Sequence, residues 1–144
     1  MGRPKQMLPL AGKPALVHTI AAFKKTPGVA EIVVVTPPEN WPVLEQYFTD
    51  LVFTDPGDTR LASVKNGFAK VSADATVVAV HDGARPLVDP KYIEDCLQAA
   101  RKEGAAVLAV PVKDTTKVGQ DGFVAQTLDR STLWSAQTPQ AYRR

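Results

Sequence analysis

The chain is punctuated by short β-branched runs without alternation, each followed or preceded by a stretch with helical spacing. Ile32-Val33-Val34-Val35-Thr36 and Thr76-Val77-Val78-Ala79-Val80-His81 are almost wholly apolar at consecutive positions. A strand with one solvated face would alternate, so these runs predict strands covered on both faces, as in a parallel sheet flanked by helices. A third run covers residues 105–112 and a shorter fourth 51–54. Helical spacing fills 15–25, 41–48, 59–71 and 90–103. Pro42 and Pro90 stand near first-turn positions, and Gly28 and Gly104 follow helices. Strands alternating with helices of this length predict one α/β domain, mostly parallel and doubly wound, over residues 1–144.

The rhythm breaks after Val112. Thr116-Lys117-Val118, then Gly119-Gln120-Asp121-Gly122, then a run from Phe123 to Leu128 predict a β-hairpin, with Asp121-Gly122 suited to positive φ. A hairpin buries little by itself, so it is expected to pack on the body or on another subunit. No strand is expected before the first helix, nor a closing strand and helix before Arg144, so the domain reads as truncated at both ends. Trp41, Trp134, Tyr142 and the phenylalanines read as core.

Composition narrows the function. The 17 Lys+Arg and 15 Asp+Glu leave a formal charge of +2, and the cations are scattered. That excludes a nucleic-acid footprint, while a few placed cations could still serve a phosphate. Cys96 is the single cysteine, which excludes an internal disulfide and favours a reducing, cytoplasmic setting. The longest apolar run falls far short of the ~20 residues a membrane span needs. The apolar stretch Met7–Gly12 is too short, and broken by Pro9, for a signal peptide. His18 and His81 lie far apart without a cysteine partner, so a structural zinc site is not expected. Walker A, Gly-x-Gly-x-x-Gly and Gly-x-Ser-x-Gly patterns are missing from the sequence.

In open α/β sheets, ligands bind beyond the carboxyl ends of the strands. Three polar clusters follow predicted strands: Thr54-Asp55-Pro56-Gly57-Asp58-Thr59-Arg60 leading to Ser63, His81-Asp82-Gly83-Ala84-Arg85-Pro86, and Lys113-Asp114-Thr115-Thr116-Lys117. A carboxylate directly after a buried strand, as at Asp82, can hold Mg²⁺, which keeps waters and takes substrate phosphates. By itself Asp-Gly is ordinary turn chemistry. Arg85 adds a guanidinium fork for phosphate. Asp58-Thr59-Arg60 with Ser63 sets caps and free N–H groups at a helix start. Lys5 alone would be a solvated surface charge.

Taken in order, these segments resemble a known family. Pro4-Lys5-Gln6 with Leu10-x-Gly12-Lys13-Pro14 looks like the stretch after the glycine-rich loop of nucleotidyltransferases. Thr59-Arg60-Leu61-Ala62-Ser63-Val64-Lys65-Asn66-Gly67 is similar to a segment of the 2-C-methyl-D-erythritol 4-phosphate cytidylyltransferases. So are Val80-His81-Asp82-Gly83-Ala84-Arg85-Pro86, Pro111 to Lys117, Thr127-Leu128-Asp129-Arg130 and Leu133-Trp134-x-x-Gln137-Thr138-Pro139-Gln140. The resemblance implies a Rossmann-like nucleotidyltransferase sheet with a protruding hairpin arm. It implies transfer of CMP from CTP to methylerythritol phosphate, with Mg²⁺ or another divalent cation.

By position, the resemblance implies that Lys5 stabilises charge on the triphosphate. Gly57, Asp58 and Ser63 would border the cytosine, and Asp82 would serve the metal and the ribose side. Arg85, Thr115, Arg130 and Thr138 would hold the sugar-alcohol phosphate. The arm, at about 113–133, would exchange between two subunits of a homodimer, carrying Thr115 and Arg130 to the partner's site. The glycine-rich loop and a late lysine-bearing segment of the family are missing from the 144 residues, which are expected to be inactive if they are the whole protein. A ribitol-5-phosphate cytidylyltransferase and a catalytically silent dimerisation module are the alternatives.

Overall fold

The computed structural model describes residues 4–144. A 3-10 turn at Lys5–Met7 leads into a small hairpin, β1 (Pro9–Leu10) and β2 (Lys13–Pro14). Then come α1 (Ala15–Lys24), β3 (Val33–Val35), α2 (Trp41–Glu45), β4 (Val52–Thr54) and α3 (Arg60–Phe68). They are followed by β5 (Val77–Val80), α4 (Pro90–Glu103) and β6 (Ala105–Pro111). The hairpin strands β7 (Lys117–Gln120) and β8 (Phe123–Thr127) precede the final strand, β9 (Trp134–Arg143).

The α/β alternation stands, but its pairing differs from the expected mostly parallel sheet. β3 and β4 pair in parallel, whereas β9 lies between β5 and β6 and runs antiparallel to both. Among the described residues, β3–β4 is thus the parallel pair, and the longest strand reverses the direction of its neighbours. β9 also corrects the expectation that no closing strand is present. Its sequence disguised it: it is largely polar, and Pro139 cannot donate to a ladder. Pro139 is accommodated because the register shifts there. Val107 faces Gln140 and Ala109 faces Ala136, so Gln137, Thr138 and Pro139 stand opposite Leu108 alone.

Two packed clusters hold the body. On α4, Ile93, Cys96, Leu97 and Ala100 recur at helical spacing and bury against Ala141 of β9, with Val77, Ala79 and Ala106 alongside. The helix starts cleanly because Asp89 accepts from the Lys91 N–H at 2.8 Å and Pro90 needs no partner for its nitrogen. It ends at Gly104, whose φ of 98° would strain any residue with a Cβ. The second cluster joins Leu16, Val17 and Ile20 of α1 to Val34 and Leu44. Ala22 of α1 belongs to the first cluster, so this helix ties the two sheets together.

β3 and β5 point the same way. Ahead of both strands, the Ser72 N–H donates to the Glu31 carboxylate at 3.0 Å. Beyond the ends of β4 and β5, Arg60 meets Asp82. No ladder joins β3 to β5. A cleft of about 610 Å³ separates them, walled by Val33–Val35 and Val77–Val80 with Leu16 and Ile20 at its floor, and its far mouth is polar.

Several aromatic side chains expected in the core are on the surface. Trp134 is 63% exposed and Phe123 79%, and Phe68 and Tyr142 are also exposed. Trp41 instead stacks on Phe53, with ring centroids 5.5 Å apart. The β7–β8 hairpin forms as expected, turning through Asp121 and Gly122 at positive φ. Every residue of its two strands is exposed, so it does not pack on the body of its own chain. Among the described residues, no helix is long and apolar enough to cross a membrane.

Candidate functional site

The site grows from the carboxyl ends of β4 and β5. After β4, the chain turns through Gly57 into α3. Ser63, one turn into the helix, accepts from the Gly57 N–H at 3.0 Å and donates to the Gly57 carbonyl at 3.3 Å. A Cβ on Gly57 would lie 2.4 Å from the Ala62 Cβ, so only glycine lets the loop approach the helix this closely. Thr59 caps α3 by accepting from the Ala62 N–H at 3.1 Å. The earlier N–H groups of the first turn, with Asp58 exposed beside them, remain open to an anion or a polar ring.

After β5, a turn presents Asp82 and Arg85. The turn is pinned from below: Thr19 of α1 donates to the Gly83 carbonyl at 2.9 Å, and a Cβ on Gly83 would meet Leu16 Cδ1 at 2.9 Å. The same Cβ position lies 3.8 Å from Gln6 Cβ. The turn that carries exposed Lys5 therefore abuts the Asp82–Gly83 turn.

The Asp82 carboxylate is shared. Arg85 Nε donates to Oδ2 at 3.0 Å, and Arg60 Nη2 stands 3.6 Å from Oδ1. Arg85 Nη1 also donates to Gln137 Oε1 of β9, and the Asp82 N–H donates to Thr138 Oγ1 at 3.2 Å. Asp82, Arg85 and Arg60 keep 42%, 46% and 65% of their side-chain surface exposed. At that exposure each ion pair contributes about 1 kcal/mol or less, so the contacts set geometry more than stability.

Behind Asp82, the His81 ring packs on Phe23 with centroids 4.9 Å apart, and Nε2 lies 3.4 Å from the Arg85 carbonyl. Its Nδ1 is buried without a partner. Burial holds this imidazole below its ordinary range, although the Arg85 carbonyl and the Asp82 charge pull the other way. The proton then resides on Nε2, where it can donate to Arg85.

Of the residues singled out from the sequence, Gly57, Asp58, Ser63, Asp82, Arg85 and Thr138 gather on one rim, joined through Arg60, and Lys5 sits on the turn beside it. Thr115 and Arg130 form a separate group at the base of the hairpin, where Arg130 Nη1 donates to the Lys113 carbonyl at 2.8 Å. Arg60 and Gln137 were not among the expected site residues. Arg60 stood in the polar cluster at the start of α3 without a role of its own, and Gln137 stands on the strand that the sequence disguised.

The donor set speaks to the divalent cation. No group of three His, Cys, Asp or Glu side chains converges among the described residues, and both oxygens of Asp82 face guanidinium groups. These residues do not form a cage for a resident ion. At most Asp82 could add one carboxylate to a cation already borne by substrate phosphates.

Both the sequence and the fold have known relatives. The profile of the family described as IspD, 2-C-methyl-D-erythritol 4-phosphate cytidylyltransferase, matches residues 1–144. A protein of that name from Syntrophotalea carbinolica is 44% identical over 147 residues, covering 96% of this chain and 63% of its own length. The chloroplastic protein of that name from Oryza sativa is 43% identical, covering 97% of this chain and 49% of its own. Among solved structures, the 4-diphosphocytidyl-2C-methyl-D-erythritol synthase of Anaerococcus prevotii superposes with a TM-score of 0.88 at 26% identity, over 97% of this chain and 64% of that one. The 2-C-methyl-D-erythritol 4-phosphate cytidylyltransferase of Thermus thermophilus gives 0.80 at 34% identity, over 97% and 65%. The chain thus spans less than two-thirds of the length of these relatives.

Proposed function

The chain belongs to the 2-C-methyl-D-erythritol 4-phosphate cytidylyltransferase family, and from that premise we propose that it serves transfer of a cytidylyl group from CTP to 2-C-methyl-D-erythritol 4-phosphate. A phosphate oxygen of the acceptor attacks the α-phosphorus of CTP, the bond to the β-phosphate oxygen breaks, and pyrophosphate leaves. The observation that carries this reading is the family match over the full 144 residues.

The chemistry suits the rim. A phosphate monoester has its second pKa near ~6 and is largely ionised at neutral pH, so no side chain need remove a proton. The barrier is mutual repulsion of anions, and placed cations lower it. In this reading Lys5 faces the triphosphate, while Gly57, Asp58 and Ser63 border the cytosine at the start of α3. Arg85 and Thr138 hold the acceptor phosphate, and Asp82 fixes Arg85 on the ribose side. Magnesium enters with the nucleotide, and no step is assigned to it.

Thr115 and Arg130 fit the reading through a homodimer in which the hairpin reaches a neighbouring subunit. Supporting this, Phe123 and Val124 on the arm are exposed at 79% and 64% and find no cover on their own chain. The buried single Cys96 fits a reducing, cytoplasmic setting.

The test is pyrophosphate release from CTP and methylerythritol phosphate by the full-length protein, with Lys5→Ala and Asp82→Ala alongside. Losses of at least about a hundredfold are expected, each removing a charge interaction that grows in the transition state. Turnover of ribitol 5-phosphate alone would reject the acceptor. Arm exchange predicts that mixing inactive Lys5→Ala and Arg130→Ala subunits restores part of the activity, because one site of each mixed dimer is intact.

A further inference from the structure

The bulge in β9 has a geometric effect that a regular strand could not produce. Successive residues of a strand point to opposite faces, yet Gln137 and Thr138 both reach the same turn: Thr138 Oγ1 takes the Asp82 N–H and Gln137 Oε1 takes Arg85 Nη1. They can do so because residues 137–139 stand opposite Leu108 alone. Bulges of this kind re-aim side chains beside functional sites. Gln137 is in turn held from its own strand, its carbonyl accepting from Gln140 Nε2 at 3.2 Å and its Nε2 lying 3.5 Å from Ser135 Oγ.

We propose that Gln137 is a positioning residue that, with Asp82, locks the Arg85 guanidinium and leaves Nη2 and the second N–H of Nη1 for an incoming phosphate monoester. Asp82 fixes the Nε side and Gln137 fixes Nη1, so the plane of the fork is determined before any ligand arrives. A guanidinium recognises phosphate through two parallel N–H bonds, and a fork free to rotate about its long side chain loses that advantage. Gln137 is neutral, and this matters. A carboxylate in its place would also hold Arg85 but would repel the phosphate that Arg85 awaits. The glutamine amide supplies the acceptor without the charge. The identity of the acceptor rests on the function proposed above, whereas the locking of Arg85 does not.

The experiment pairs two readouts on wild type, Gln137→Leu and Gln137→Glu. The first is ¹⁵N relaxation of the Arg85 Nε–H signal without ligand. It should report an ordered side chain in wild type and Gln137→Glu, and a mobile one in Gln137→Leu. The second is calorimetric binding of methylerythritol phosphate in the presence of a non-hydrolysable CTP analogue. It should weaken about tenfold in both variants, with analogue affinity within twofold of wild type. In an Arg85→Ala background, Gln137→Leu should weaken acceptor binding no further. An Arg85 signal equally ordered in Gln137→Leu, or additive losses in the double variant, overturns the proposal. Ordering that behaves as expected in a protein whose wild type binds no methylerythritol phosphate supports the locking and rejects the acceptor.

Discussion

Gly57 has no room for a side chain, because the first turn of α3 closes on it through Ala62 and Ser63. Gly57→Ala should therefore push the helix start away and break the reciprocal Ser63 bonds. Overpacking of this kind costs about 1–3 kcal/mol, which a fall in urea midpoint would register, together with weaker CTP binding. His81 adds a pH dependence. Its folded-state pKa lies below the ordinary histidine value of 6.5, so stability is fully present above that value and is lost as pH falls through the folded value. Asp82 and Arg85 are the charged groups that face it. The unfolding midpoint should decline from about pH 6.5 downward, before carboxylates titrate near pH 4, and His81→Gln should flatten the decline. The strand-end positions of Asp82, Arg85 and the 54–60 cluster were legible because each follows an apolar run, whereas the reciprocal bonds between Gly57 and Ser63 were not. Arg60 was legible as part of a polar cluster and Gln137 as part of a family-like segment, but their contacts with Asp82 and Arg85 were not, because each joins residues far apart in sequence.

At the level of elements, apolar periodicity located the helices and the buried strands to within a few residues. It worked best on α4, whose bounds coincide with expectation and whose stripe of Ile93, Cys96, Leu97 and Ala100 is almost wholly buried. Ile93 is fully inaccessible, so Ile93→Ala should cost about 2–5 kcal/mol in denaturant unfolding, the usual range for deleting a core aliphatic. α2 proved shorter than its pattern, and β9 escaped notice, for opposite reasons. α2 stops at Glu45 although apolar spacing continues to Phe48, because Phe48 packs into the core from beyond the helix end. β9 is held through backbone pairing to two neighbours and by the buried Thr138, Pro139 and Ala141, while most of its other residues stay exposed. Pairing with partners distant in sequence is what a single chain's periodicity cannot express.

Across the whole molecule, the sheet is divided. β4 and β3 form one part, β5, β9 and β6 the other, and among the described residues one edge of β3 and one of β5 line the cleft without a ladder partner. In a protein of these 144 residues, amides of β3 and β5 that enter neither the β4 nor the β9 ladder should exchange with solvent far faster than those of α4, as hydrogen exchange followed by mass spectrometry would show. The rim crosses the same divide. Arg60 belongs to the first part and Asp82 to the second, and their contact is the polar link at that end. A ligand gripping both must also fix how the halves sit, so affinity and mutual alignment are two readings of one equilibrium. Tightening either half's hold on the nucleotide should then quiet motion in the other, much as a latch stills a door by acting at its free edge.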